Sequence, residues 1–255
     1  MANILAEIVA NKRLEIEERK KLRSVSDLTM NLELADEGFK KSLSGEGLKL
    51  VAEIKPSSPS AGVLQATPDT KRIVEVYDQY ADSISVLTDQ KYFAGSLDLL
   101  SEVKTISQRP LLCKDFILDE YQVIEARKFG ADAVLLIVKI LDPATLRTLT
   151  KAARALGMTA LIEIQNEDEL FTALTVRPDV ILINNRNLDT MKIDLSTTVR
   201  LAPLIPRDII CISASGLTSR ADLDSLMKYC SRFLIGSVLM KSPDMAVKLK
   251  ELKGL

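Results

Sequence analysis

The sequence predicts an α/β fold, a single (β/α)8 TIM barrel with an N-terminal helical extension, and three observations carry that expectation. Apolar runs rich in Val, Ile and Leu recur near 48–54, 83–87, 109–113, 132–138, 158–164, 179–184, 208–213 and 232–236. Most show little alternation, as expected of parallel strands covered on both faces. Their starts lie roughly 20–35 residues apart, the size of a βα unit, and each run is followed by a helical pattern. An open doubly wound sheet is the rival architecture, but neither G-x-G-x-x-G nor a Walker A motif occurs. With no linker and no break in composition, the expected organisation is one domain over 1–255, with 1–47 as the extension and 48–255 as the barrel.

Taken in order, Ile4, Leu5, Ile8 and Val9 recur at helical spacing and lead into a charged segment, Asn11 to Arg23. This predicts an amphipathic helix with a solvated second half. Phe39 to Leu43 suits a second short helix. Within the barrel, Thr67-Pro68, Asp142-Pro143 and Ser242-Pro243 each put a capping residue before a proline at the first helical position. Asn166 with Glu169 resembles a capping box. Gly130 and Gly157 follow helical patterns, where a left-handed residue is wanted.

Composition narrows the chemistry. The 255 residues are 47% hydrophobic and 27% charged, with a net charge of −1. That balance favours neither a nucleic acid nor an anionic membrane as partner. Histidine is absent, which removes Ser-His-Asp, Cys-His and His-metal chemistry and leaves Lys, Glu, Asp, Tyr or Cys for proton transfer. Cys113, Cys211 and Cys230 lack metal-ligand spacing, and so sparse a count suits a reducing cytoplasm. Met1 to Leu22 has no apolar signal region, and runs such as Ala133–Val138 are too short to span a bilayer. A cytoplasmic location is therefore expected.

Active sites of such barrels lie at the C-terminal ends of the strands. The polar residues there are Glu53 and Lys55 on the first strand, Lys114 on the third, Glu163 on the fifth, and Asn184 and Arg186 at the sixth. Ser213 and Ser215 follow at the seventh, and Gly236 and Ser237 at the eighth. Glu53 and Lys55, two apart on a strand, share a face, and on that stretch alone a buried ion pair and a catalytic pair are equally good readings. Two lysines and two glutamates at equivalent strand ends would converge on one pocket, where a desolvated Lys can donate a proton and a shielded Glu accept one. Ser213-Ala-Ser-Gly-Leu217 and Ile235-Gly-Ser237 offer small residues before helical segments. They read as a phosphate cradle or as plain βα turns. Tyr92 and Phe93 read as loop packing or as rings over the pocket, and Lys139 as a solvated side chain.

At this point the motifs resemble a known family. Glu53-Ile-Lys-Pro-Ser-Ser-Pro-Ser60 is similar to the first-strand signature of indole-3-glycerol phosphate synthases. The resemblance continues through Ser85-Val-Leu-Thr-Asp89 with Tyr92-Phe93, Lys114-Asp-Phe-Ile117 with Asp119 to Gln122, and Leu161-Ile-Glu163. It extends through Ile183-Asn-Asn-Arg-Asn-Leu188 and Phe233-Leu-Ile-Gly-Ser237, with Ile4, Leu5, Ile8, Lys12 and Arg13 matching the family's extension. The resemblance implies ring closure of 1-(2-carboxyphenylamino)-1-deoxyribulose 5-phosphate in tryptophan biosynthesis, with loss of carbon dioxide and water and with no cofactor or metal. It implies Lys114 as the general acid at the ketose carbonyl and Lys55 as the lysine that contacts substrate anions and serves the dehydration. Glu53 and Glu163 match the base and electrostatic carboxylates. Asn184 matches the orienting amide and Arg186 the arginine near the anthranilate carboxylate. Ser215, Gly216, Gly236 and Ser237 match the phosphate cradle, and Ser58 and Phe93 match pocket-lining positions. The expected partner is that small molecule alone, with a monomer or weak homo-oligomer as the working form.

Two departures stand out. The family's strand-7 motif S-E-S-G is here Ser213-Ala214-Ser215-Gly216, and Gln165 stands where a His is frequent. Gln165 falls beyond the strand end, outside the expected chemistry. The methyl of Ala214 cannot accept a hydrogen bond, and losing one to a substrate hydroxyl costs about 1–3 kcal/mol, roughly ten- to hundredfold in rate. That leaves a slowed synthase as the main reading and a silent phosphate-binding scaffold as its alternative. A phosphoribosylanthranilate isomerase is a third reading, which would need a catalytic Cys and Asp at other strand ends; Cys211 has no matching first-strand context.

Overall fold

The computed structural model describes residues 4–58, 62–63 and 69–255, with Ser58 and Val63 as backbone only. Eight parallel strands close into one ring: β1 (Lys49–Ile54), β2 (Ser83–Leu87), β3 (Leu111–Lys114), β4 (Ala133–Ile137), β5 (Thr159–Ile164), β6 (Val180–Asn184), β7 (Ile210–Ala214) and β8 (Arg232–Ile235). Closure is made by β1, where Val51 pairs with Leu234 on one side and with Ser83 on the other. The expected (β/α)8 barrel with its N-terminal helices is thus the observed fold. Ser57–Ser58 and Gly62–Val63 form a small antiparallel ribbon after β1.

Thirteen α-helices accompany the strands among the described residues. The extension supplies α1 (Ile4–Leu22), α2 (Val25–Thr29) and α3 (Gly38–Ser42). Around the barrel follow α4 (Thr70–Tyr80), α5 (Gln90–Phe93), α6 (Leu97–Ile106), α7 (Glu120–Lys128), α8 (Pro143–Ala155) and α9 (Glu167–Leu174). The remaining helices are α10 (Ser196–Leu201), α11 (Arg220–Leu226), α12 (Ser237–Lys241) and α13 (Met245–Lys253).

The two faces of each strand have different fates. Leu50, Ala52, Ile54, Ile84, Val86, Val134, Leu136, Ile162, Ile181 and Phe233 belong to the layer between strands and helices. Val51, Leu112, Ala133, Leu135, Leu161, Val180, Leu182, Ile212 and Leu234 fill the barrel interior. Both sets are buried, so the sequence shows no alternation although the side chains alternate in space. The inward parity then determines which polar groups reach the open end. It runs 51–53 on β1, 112–114 on β3, 161–163 on β5 and 182–184 on β6, so Glu53, Lys114, Glu163 and Asn184 each sit one step above an apolar layer.

Helix starts follow side-chain chemistry. Asp142 caps α8 through the amides of Ala144 and Thr145, with Pro143 in the first turn. Asn166 accepts from the Glu169 amide at the start of α9. Gly130 and Gly157 take φ of 95° and 71° after α7 and α8, and at Gly157 a Cβ would meet the Ala35 carbonyl oxygen at 2.1 Å. Thr67-Pro68 lies outside the described residues; α4 begins at Thr70 with Asp69 as its cap. Ser242-Pro243 does not cap a helix start. Ser242 ends α12, and the carboxylate of Asp244, which reaches the amides of Ala246 and Val247, starts α13.

The extension does more than lie on the surface. Phe39 on α3 and Leu43 just after it are fully buried and belong to the same apolar cluster as the barrel interior. They plug the N-terminal mouth. Arg232 at the start of β8 secures this plug by donating from Nε to the Leu43 carbonyl at 3.0 Å. The second half of α1 departs from the solvated expectation. Lys12 and Ile16 are 1% and 3% exposed, on the same face as Leu5 and Ile8. A charge count along the segment hides this, because Lys12 is buried with its own counter-ions. Replacing Phe39 by Ala is expected to lower the free energy of unfolding by about 3–5 kcal/mol, read by urea titration, because the plug has no other aromatic side chain to fill the mouth.

Candidate active site

At the C-terminal end of the barrel lies a cavity of about 250 Å³. Its polar lining includes Glu53, Lys55, Lys114, Glu163, Asn184 and Arg186, and Ser215, Gly216, Gly236 and Ser237 complete one side. Phe93 lines it too. The side chain of Ser58 lies outside the described residues. The other residues that the family resemblance assigned to the site therefore meet at one place, whereas Ser213, Tyr92 and Lys139 do not line it.

Glu53 is the hub. Its Oε1 lies 2.9 Å from the Lys55 Nζ and its Oε2 2.6 Å from the Lys114 Nζ, and the carboxylate is 2% exposed. Burial alone would raise its pKa, but Lys114 and Lys55 outweigh burial and bring it down to about 2. Burial likewise opposes the charge on Lys114, yet Glu53 and Glu163 hold its pKa above the ordinary lysine value. The ion pair and the shared pocket face are thus one and the same feature. Gly236 is bound up with it: a Cβ there would stand 2.3 Å from Glu53 Oε1, so only glycine leaves the carboxylate room to bridge both lysines.

Glu163 is the second carboxylate. It is 3% exposed and accepts from Asn184 Nδ2 at 2.9 Å. Asn184 Oδ1 in turn accepts from the Arg186 amide at 3.0 Å, so the amide is held at both ends. Burial lifts the Glu163 pKa above the usual carboxylate value, against the pull of Lys114 and Asn184. The pocket thus holds an acid that stays charged and one that readily takes a proton. That is the division of labour proton transfer requires.

Ser215 and Gly216 both adopt left-handed backbone, with φ of 70° and 82°. Ser215 pays a strain that glycine would not. The fully buried hydroxyl of Ser213 points away from the pocket into a polar cluster, 3.0 Å from Asn185 Nδ2 and 2.7 Å from Thr198 Oγ1. Ser213 is therefore structural. Asn185 Nδ2 also donates to the carbonyls of Ala214 and Ser215 at 3.0 and 3.2 Å, which fixes the turn. Ala214 is 2% exposed and shares an apolar cluster with the pocket-lining Leu135, Ile137 and Leu234. Cys211 sits at the second position of β7, remote from the open end, so the isomerase reading has no thiol there. Lys139 is not simply solvated: its ammonium pairs with Asp189. Tyr92 faces outward and donates to Glu7 at 3.0 Å.

The family model for indole-3-glycerol phosphate synthase matches residues 5–252. The chain belongs to the indole-3-glycerol phosphate synthase family. An indole-3-glycerol phosphate synthase of a Thermoanaerobacter strain is 39% identical over 258 residues, covering 98% of this chain and 99% of that one. The tryptophan biosynthesis protein TrpCF of Helicobacter pylori is 40% identical over 245 residues, 96% of this chain but 54% of that protein. The TrpCF protein of Vibrio cholerae is also 40% identical, over 99% of this chain and 54% of that one. The chain thus spans about half the length of these TrpCF relatives. Among solved structures, 3-hexulose-6-phosphate synthase from Salmonella typhimurium superposes with a TM-score of 0.67 at 13% identity, over 81% of this chain and 97% of that one. That likeness concerns the fold.

Sequence reasoning missed much of this family member's apolar wall. Ile4, Leu5 and Ile8 of α1, Phe116, Leu188, Met191 and Ile193 line the pocket from outside the strand ends, so strand-end reading does not reach them. It also missed Asn185, whose only signal was its place between two polar neighbours.

The two carboxylates are expected to act on stability with opposite signs. Glu53, with its folded pKa lowered from 4.5 to about 2, stabilises above about pH 4.5, and this is lost as pH falls toward 2. Glu163, with its pKa raised, stabilises below its ordinary value and loses this as pH rises through the folded one. At pH 7 Glu53→Gln should therefore lower Tm and Glu163→Gln raise it, by about 2–4 °C per kcal/mol, in calorimetry of both variants.

Proposed function

We propose that this protein closes the ring of 1-(2-carboxyphenylamino)-1-deoxyribulose 5-phosphate to indole-3-glycerol phosphate, as a carboxy-lyase of tryptophan biosynthesis. The observation that carries the reading is Glu53 bridging Lys55 and Lys114 inside the pocket, with Glu163 and Asn184 also in its lining. Its substrate carries a phosphate, a carboxylate and an aromatic ring. Cations, turn amides and an apolar wall answer these in turn.

Lys114, kept protonated by Glu53, donates its proton to the ketose oxygen as the ring carbon bearing the carboxylate attacks the carbonyl carbon. The new C–C bond breaks the aromaticity of that ring. Departure of carbon dioxide returns the bonding pair to the ring and restores aromaticity. The hydroxyl formed at the former carbonyl then leaves as water with a proton from Lys55, while Glu163 accepts the proton the ring system gives up. Neutral Lys114 and Lys55 are recharged by protons from Glu163 and from solvent. Asn184 holds Glu163 in position, and Arg186 answers the anthranilate carboxylate. Ser215, Gly216, Gly236 and Ser237 hold the phosphate, and Phe93 lines the site. No step calls on a metal or cofactor. The chain is taken as one barrel domain over 1–255, acting in the cytoplasm as a monomer or weak homo-oligomer. No described helix is long and apolar enough to cross a membrane.

Ala214 supports a second reading, a scaffold that binds the substrate without turning it over. Following indole fluorescence after adding the synthetic substrate separates the two. Turnover by the unmodified chain supports the first; tight binding of a substrate analogue with no product supports the second. Lys114→Ala is expected to lower kcat by at least about a hundredfold, and an unchanged rate would remove Lys114 as the general acid. Ala214→Glu is expected to raise kcat about ten- to hundredfold, measured in the same assay beside the parent chain. A variant no faster than the parent would clear Ala214 of limiting the rate.

A further inference from the structure

α1 bounds the pocket through Ile4, Leu5 and Ile8, yet the next inward position on that face is a lysine. Lys12 is 1% exposed. Its Nζ lies 2.7 Å from Asp89 Oδ2, 2.9 Å from Asp115 Oδ1 and 2.9 Å from Glu15 Oε2. Asp89 is fully buried and Asp115 nearly so. An apolar side chain would suit this helix face without the desolvation that a buried charge entails. What the charge adds is a fixed position, because an ammonium among carboxylates cannot slide as a leucine can.

Each buried carboxylate carries a second load. Asp89 follows β2 and accepts from the Tyr92 amide through Oδ1 at 2.8 Å, capping α5, which ends at Phe93. Asp115 follows Lys114 in sequence and accepts from the Phe116 amide at 2.7 Å. Its other oxygen takes the Thr88 hydroxyl at 2.9 Å. Phe93 and Phe116 face each other with ring centroids 6.1 Å apart, and both line the pocket. One ammonium therefore ties together α1, the loop after β2 and the loop after β3.

We propose that Lys12 is a positioning residue that holds the apolar end of the pocket, namely Ile4, Leu5 and Ile8 above and Phe93 and Phe116 beside, at a set height over Lys114. That end takes the substrate's aromatic ring. The ring assignment rests on the activity proposed above; the clamp itself does not. Lys12 touches no reacting atom and acts through the wall it fixes.

The test uses Lys12→Met in the full chain. Hydrogen exchange of the α1 amides is expected to quicken at least about tenfold while β1 to β8 keep their protection. The calorimetric Kd for the substrate analogue reduced at its carbonyl should rise about tenfold, with kcat within about threefold and the Kd for inorganic phosphate unchanged. Loss of affinity for both ligands together would mark a general loosening and overturn the proposal, as would normal affinity beside faster exchange. If Lys12→Met does not fold, Asp89→Asn carries the test, since it keeps the α5 cap through its amide oxygen and removes one arm of the clamp. Its analogue affinity should fall about threefold, and wild-type exchange and affinity in this variant would overturn the proposal. A chain that binds the analogue but never turns over its substrate would count against the proposed activity and leave the clamp standing.

Discussion

A carboxylate shared by two ammonium groups stands at the centre of this molecule. Glu53 is buried at the top of β1, and burial on that scale is tolerated only because Lys55 and Lys114 meet both of its oxygens. The arrangement constrains its surroundings. β8 must be followed by glycine, since a Cβ at Gly236 would strike the carboxylate. β1 and β3 must keep a register that brings their last inward residues together, although they are separated by β2. Lys114 stays charged because of the same partner. Fold closure and the charge state of Lys114 are thereby linked through one side chain.

The barrel was legible because its evidence is repetitive. Eight apolar runs at similar spacing leave few architectures open. The strand-end residues were legible for a related reason: an inward polar group next to an apolar layer interrupts a run and shows as an interruption. Glu163 after Leu161 and Lys114 after Leu112 both do so. What remained hidden lacks such contrast. Lys12 sits in a segment crowded with charges, and its burial depends on Asp89 and Asp115, roughly eighty and a hundred residues further on. Ile193 and Met191 belong to a loop whose path follows no periodicity. Ser213 looked like a site residue, and only the cluster with Asn185 and Thr198 shows that it faces inward to the fold.

The pocket combines a charged half with an apolar half. Its charged half is rigid because every group there has a partner, as with Asn184 held between Glu163 and the Arg186 amide. Much of its apolar half is drawn from α1 and from the segments after β2, β3 and β6, outside the strand ladder. Ion pairs supply the missing order. Besides the Lys12 cluster, Arg19 meets Glu125 at 2.8 Å and Lys20 meets Asp119 at 2.7 Å, so the C-terminal end of α1 is fastened to α7 and its cap. A partly exposed pair such as Lys20–Asp119 contributes little singly. In series such pairs determine where a helix lies.

The plug at the opposite mouth bears on the order in which the chain assembles. Phe39 and Leu43 pack among side chains of β1, β3, β4, β5, β6, β7 and β8, so their site exists only after the ring has closed. During synthesis this segment emerges before any strand. A segment made before the barrel strands thus settles after them, and until then its apolar side chains stay uncovered. Long-range closure of this kind is slow, and uncovered apolar surface in the interval invites association between chains.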